Sequence, residues 1–322
     1  MKHARKTAFL LLLAVIAALL GGAAAMQGRS QERYQVAMIV KSSESSFFKS
    51  VFAGAGAAAT EYNIALTTAG AQSEEDYESQ NEMIRDAVKN GADALVVSAG
   101  DYEKNAEAID WAAGKGVPSV IIDSDVNSST VKVRIGTDNK EAGRMAARAV
   151  LEGTEGELRI GIVNFDKHTA NGQERELGFR EEAGQDSRVK EITTINVAST
   201  VEAARAATRE LLQAHPDINV ITTFNEWTSL GVGWAIRDLG KKDETFVTAF
   251  DSNVVSVGML ETGEVDALIV QNPYAMGYLG VEKAWELSGR GGKEKRINTE
   301  TTIVTRENMF LEEYQKILFL FD

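Results

Sequence analysis

The stretch FVTAFD at residues 246–251 is a short run of apolar and β-branched residues that stops on a carboxylate, Asp251. The design recurs three times: SVIID (119–123) stops at Asp123, VITTFN (220–225) at Asn225, and ALIVQN (267–272) on Gln271 and Asn272. Runs of this kind read as buried strands of a parallel sheet, each followed by a helical pattern. In open α/β sheets ligands sit in the crevice beyond the carboxyl ends of the strands. The pattern therefore predicts that hydrogen-bonding side chains from distant segments converge on one pocket. Carboxylates and amides suit a neutral, polyhydroxylated ligand and are poor equipment for catalysis.

Strand and helix patterns alternate outward from these runs, from Tyr34 onward. The first half reads as strands at 36–40, 64–69, 94–99 and 119–123, separated by helices near 47–62, 75–90 and 103–115. Ser73-Glu74-Glu75-Asp76 has the form of a capping box for the second helix, and Gly91 and Gly116 stand where helices end. The second half repeats the plan, with helices near 140–151, 173–183, 201–214, a helix ending at 239, 254–262 and 273–287, and strands at 158–165, 191–197, 220–225, 246–251, 267–272 and 301–305. Alternation of this kind defines the α/β class with parallel sheets covered on both faces. Two lobes of similar size follow, without a clear sequence repeat. With only three prolines and no Ser/Gly-rich linker between the halves, the lobes are expected to be closely joined. Residues 289–295 read as a flexible charged loop, and the segment after 305 as a tail.

The chain has 322 residues and a formal charge of −13. Residues 1–25 hold three of its 34 Lys/Arg and none of its 47 Asp/Glu, which leaves the remainder at −16. So acidic a body argues against nucleic acid or an anionic membrane as the main partner. The absence of cysteine excludes disulfides, thiolate metal sites, Cys nucleophiles and a lipid-bearing cysteine. Lys2, Arg5 and Lys6 precede an apolar run from Ala8 to Leu20, and small residues through Ala25 place alanines at −3 and −1 of a cut after Ala25. The stretch is also about 19 residues long, the minimum for a membrane span. Residues 1–25 are therefore a signal peptide or a retained anchor, and both put the body outside the cytoplasm.

Signatures of catalysis and cofactor binding are missing. GAGAAA at 54–59 fits a dinucleotide fingerprint only formally, because these glycines lie inside a predicted helix, where close helix packing explains them better. No Walker A, HExxH or nucleophile-elbow pattern occurs. No cofactor or metal is expected. Of the three histidines, His3 lies in the leader, His215 reads as a solvated loop residue, and His168 follows strand 158–165 as either a cleft or a loop residue.

SSESSFF (42–48), IIDSD (121–125), GTDN (136–139), QERELGF (173–179), FNEWTSLG (224–231), AFDSN (249–253) and VQNP (270–273) occur in one order. As an ordered set they resemble the ribose-binding-protein-like family of type I periplasmic sugar-binding proteins, over residues 34–322. The resemblance implies two Rossmann-like lobes joined by three crossovers, near 136–137, 271–272 and 297–300, with ligand held between lobes that close about a hinge. The N-terminal lobe would take 34–136 and 272–299, the C-terminal lobe 137–271 and 300–322. Phe47 and Phe48 match an aromatic pair that packs on a sugar ring, with ordinary core packing as the alternative. Ser45 matches a position often held by Asn, with Glu44 beside it. Asp123 and Asp251 match carboxylates that accept from hydroxyls, with strand-end caps as the alternative. Asn225 and Gln271 match amides, and Trp227 is a second stacking group or a packing residue.

The chain also departs from the family. Asp123-Ser124 replaces an Asp-Arg pair common in aldopentose binders, and a second family arginine aligns with Gln173, with Arg175 two residues on. Fewer cationic donors weaken the case for ribose and for an anionic ligand. The resemblance implies a monomeric solute-binding protein that carries a neutral sugar or polyol to an ABC permease. The alternative is an anchored sensor subunit signalling to a kinase or chemoreceptor, and an enzyme is the least favoured reading.

Overall fold

The computed structural model describes residues 33–287 and 295–318. The leader-or-anchor reading of residues 1–25 and most of the 289–295 loop lie outside the described residues. Strands β1 (Gln35–Val40), β2 (Ala65–Gly70), β3 (Ala94–Val97), β4 (Ser119–Ile122) and β5 (Val133–Gly136) form one sheet with β11 (Lys295–Asn298), in the order β11-β5-β4-β3-β1-β2. Every pairing in it is parallel. Strands β6 (Leu158–Asn164), β7 (Val189–Asn196), β8 (Val220–Thr223), β9 (Phe246–Phe250) and β10 (Ala267–Val270) form the second sheet with β12 (Thr302–Thr305), in the order β12-β10-β9-β8-β6-β7. The two sheets thus share one strand order, and β4 occupies in the first the place that β9 occupies in the second.

Helices α1 (Ser46–Glu61), α2 (Tyr77–Lys89), α3 (Ala106–Gly114) and α9 (Pro273–Glu286) cover the first sheet. Helices α4 (Asn139–Gly153), α5 (Ala170–Ala183), α6 (Val201–Ala214) and α7 (Glu226–Leu239) pack on the second, joined by α8 (Val254–Thr262) against α7 and by the short α10 (Glu312–Leu318). Strands β3, β4, β8 and β10 are buried along their whole length, as the unbroken apolar runs require. The chain passes between the sheets three times, at 137–138, 271–272 and 299–301.

Five details depart from the sequence reading. No helix follows β4, and the chain runs through a loop into β5. Lys295 opens β11 instead of ending a loop, and residues 312–318 of the tail form α10. β12 runs antiparallel to β10. Its direction follows from its route: the chain leaves β11 and enters the second sheet after three residues, at the carboxyl end of β10, so it can only run away from that end. A parallel pairing would need a crossover of a dozen residues or more. Finally, α2 begins at Tyr77, capped by Asp76, whose side chain accepts from Ser79 N at 3.0 Å. Ser73 is not the cap, and Glu74 and Glu75 stay outside the helix.

Glycine explains how the two longest helix contacts form. A methyl group at Gly277 of α9 would collide with the Val51 carbonyl of α1, and one at Gly54 with the Tyr274 carbonyl. Gly143 of α4 and Gly178 of α5 stand in the same relation to the carbonyls of Arg175 and Lys140. Gly54 lies inside α1, so its role is close helix packing, as expected. Gly91 and Gly116 take the left-handed backbone just past α2 and α3, at φ 89° and 84°.

Candidate functional site

The cleft lies between the carboxyl ends of the two sheets. β4 and β9 end there on Asp123 and Asp251, and both residues adopt left-handed backbone, at φ 56° and 67°. Few non-glycine residues accept this conformation, and Asp is among those that do. Equivalent strands of the two lobes thus each end on a backbone turned by an aspartate. Asp123 accepts from Ser98 Oγ at 2.8 Å and Asn171 Nδ2 at 3.1 Å, and its Oδ2 lies 3.5 Å from Lys41 Nζ. Asp251 accepts from Gln271 Nε2 at 2.7 Å.

Arg175, on α5, is 1% exposed. Its guanidinium donates to Asn139 Oδ1 at 3.0 Å, Phe224 O at 2.6 Å and Gln271 Oε1 at 2.6 Å, and lies 4.7 Å from the Phe250 ring centroid. Gln271 also accepts from Thr137 Oγ1 at 2.8 Å. The amide thereby ties together the crossings at 137 and 271, Arg175 and Asp251. Ser45 caps α1 by accepting from Phe48 N at 3.1 Å. Phe47 and Phe48 meet edge to face at 5.1 Å. Asn225 caps α7 through Oδ1, while its Nδ2 donates to Ser199 Oγ at 2.6 Å and to Glu74 Oε2 at 3.3 Å.

Eight of the nine residues expected at the site, Ser45, Phe47, Phe48, Asp123, Arg175, Asn225, Asp251 and Gln271, line one cavity. Gln173 does not. It is exposed on α5, because Asn171 and Arg175, four residues apart, share the helix face that enters the cleft, and Gln173 projects from the opposite side. Of Gln173 and Arg175, the latter is the one that lines the cavity. Glu44 and His168 are exposed, although the His168 carbonyl accepts from Tyr102 N at 2.9 Å across the lobes. Trp227 is half-buried and outside the cavity lining.

Four lining residues escaped the sequence reading: Lys41, Glu74, Asn171 and Glu226. Lys41 directly follows β1, so the strand-end rule that found the aspartates also reaches it. Asn171 lies one helical turn before Arg175. Glu226 adjoins Asn225, and Glu74 was assigned to a cap. The cavity therefore carries four carboxylates, on Glu74, Asp123, Glu226 and Asp251, and two cations, Lys41 and Arg175.

Burial pushes the Asp251 carboxyl up to about 7, against the pull of the Arg175 charge and the Gln271 bond; the nearby Glu226 and Asp123 charges add to the rise. Burial likewise raises Glu74, opposed by Lys41 and by the Ser199 bond. Arg175 is lowered by burial, opposed by the charges of Asp251 and Asp123, and remains a cation given how high a guanidinium starts. The assembly presents acceptors, amide donors, one planar guanidinium and an aromatic pair around one cavity. That is equipment for holding a ligand by many directed hydrogen bonds.

Comparison with known proteins agrees with this geometry. The family model for the periplasmic binding protein domain matches residues 36–294. The chain belongs to that family. As a periplasmic binding protein it is a binding protein and not an enzyme, and it works outside the cytoplasm. The ribose import binding protein of Bacillus subtilis is 24% identical over 300 residues, 93% of this chain and 96% of the relative. A carbohydrate transporter solute-binding protein of Agrobacterium radiobacter, solved with D-arabinose, superposes with a TM-score of 0.85 at 28% identity, covering 90% of this chain and all of the other. An ABC transporter solute-binding protein of Agrobacterium vitis with bound D-fucose gives a TM-score of 0.84 at 28% identity over 88% of this chain and 99% of the other.

Proposed function

We propose that the protein captures a single neutral sugar or polyol between its lobes and presents the closed form to an ABC permease. The observation that carries this reading is the cavity itself, in which polar side chains from both sheets converge beside Phe47 and Phe48. Charge-assisted bonds from hydroxyls to Asp123 and Asp251, and from Arg175 to ring oxygens, would orient the ligand. The Phe47 and Phe48 rings suit the apolar C–H face of a sugar. Similarity to import binding proteins for ribose and to structures holding D-arabinose and D-fucose supports the same class.

The moving bodies in this reading are residues 34–136 with 272–299, and 137–271 with 300–322. The protein acts as a monomer, either freed by cleavage after Ala25 or held at the outer face of the membrane by residues 1–25. Ligand shifts the population from open to closed, and the permease reads the closed shape. The relatives lend no support to a sensor subunit. A thermal-shift screen of refolded protein against aldoses, pentoses, deoxy sugars, cyclitols, nucleosides and amino acids tests the reading. A large upward shift with one sugar class is expected; a shift confined to a nucleoside or amino acid would overturn the ligand class.

A further inference from the structure

Two groups of glutamates reach across the cleft in opposite directions. Glu226, the first residue of α7 in the second lobe, is 5% exposed. Its carboxylate accepts from Ser46 N at 3.2 Å and Phe47 N at 3.0 Å, the unpaired amides at the start of α1 in the first lobe. It also accepts from Asn253 Nδ2 at 2.9 Å, the side chain that caps α8. One carboxylate therefore sits where the N-termini of three helices meet. Their free N–H groups and dipoles all favour a negative charge there.

On the other side, Glu74 and Glu75 project from the segment before α2 in the first lobe to Ser199, at the entrance to α6 in the second. Ser199 N donates to Glu75 Oε1 at 2.6 Å and Ser199 Oγ to Glu74 Oε2 at 2.8 Å. Each lobe thus places acidic side chains on the backbone at a helix entrance of the other. These bonds exist only while the lobes are together.

We propose that Glu226 and the Glu74–Glu75 pair form a reciprocal latch that sets the closed population and hence the rate of ligand release. The proposal rests on the binding reading above. Asp123 also bridges the lobes through Asn171, but Glu226 and Glu75 are the carboxylates that bind the backbone N–H groups of the opposite lobe. The three donors on Glu226 are all protein groups, and Glu75 is not among the cavity-lining residues. A glutamine at either position keeps the shape but turns one acceptor into a donor facing an N–H.

The test is stopped-flow release of two or more bound sugars from the full chain and from the variants Glu226→Gln and Glu75→Gln. Folding is checked by circular dichroism. The expected result is release faster by about 10- to 100-fold, the range for loss of charge-assisted bonds. The factor should be the same for every sugar, with association changed far less. Unchanged release would overturn the latch. A factor that differs between sugars would also overturn it, because it would make the glutamate a ligand contact. If no sugar binds, the binding reading fails separately, and the latch is decided by solution scattering of the ligand-free protein. A larger radius of gyration in the Glu75→Gln, Glu226→Gln double variant than in the parent supports it, and equal radii overturn it.

Discussion

Replacing Asp251 by Asn should stabilise the folded protein at neutral pH while destroying the site. The carboxyl is buried at the end of β9 and is pushed up to about 7 from its ordinary 3.8. It holds its proton more tightly in the folded protein than in the unfolded chain. Its contribution to stability is therefore complete below about pH 4, fades as the pH climbs, and is gone once the pH passes about 7. A gap of about 3 pH units corresponds to about 4 kcal/mol. Asparagine carries no charge at any pH and retains an oxygen for the Gln271 amide. Opening of the lobes rehydrates the carboxylate, so the ligand-free protein shows at most about this amount. Urea unfolding of parent and Asp251→Asn protein at pH 4, 5, 6, 7 and 8 reads the effect, and subtracting the two curves cancels the titration of distant groups. The variant should gain on the parent by up to about 1.4 kcal/mol per pH unit between pH 4 and 7, then hold steady. A difference independent of pH, or one that favours the parent increasingly as pH rises, would refute the assignment of burial as the dominant cause.

Other outcomes follow from the same geometry. Asp123→Ala should weaken binding of the sugar found in the thermal-shift screen by about 2–4 kcal/mol, since it strands Ser98, Asn171 and Lys41 as well as ligand hydroxyls; calorimetry showing unchanged affinity in a folded variant would remove Asp123 from the site. Phe47→Ala should cost about 1–3 kcal/mol of affinity by titration calorimetry, and a loss confined to thermal stability would make the ring a core residue only. Gly277→Ala should lower stability in urea unfolding by about 1–3 kcal/mol through its clash with the Val51 carbonyl. Gly258→Ala in α8, where an added methyl group meets nothing, should be neutral or stabilising by about 0.5–1 kcal/mol.

The fold was legible wherever burial left a local trace. Strands such as ALVV (94–97) and VITT (220–223), buried on both faces, must be apolar throughout, so composition announces them. β5 and β11 went unread because charges interrupt them: half-buried Arg134 and exposed Arg296 both pair with Asp125, and their strands lie at one edge of the sheet. In the site, the strand-end rule reached Asp123, Asp251 and Gln271 because position in the chain alone decides what a strand points toward the cleft. It does not decide which side of a helix faces inward. Gln173 and Arg175 are two residues apart, and only packing of α5 against α4 through Gly143 and Gly178 selects between them. Glu74 has the same lesson: a carboxylate three residues before a helix satisfies a capping pattern locally, while its actual partner, Ser199, lies 125 residues away.

The interlocked order of the chain bears on how the protein is made. Helix α9 covers the first sheet and presses on α1, yet it emerges only after β10, when the whole second sheet except β12 has been synthesised. Until then β5 lacks its neighbour β11, and the glycine face of α1 has no helix to receive it. The contacts between α1 and α9 that finish the first lobe span more than two hundred residues, which slows folding. Neither lobe exists as a continuous segment, so a fragment cut anywhere between β5 and α9 yields no complete half, and the body matures as a single late-closing unit.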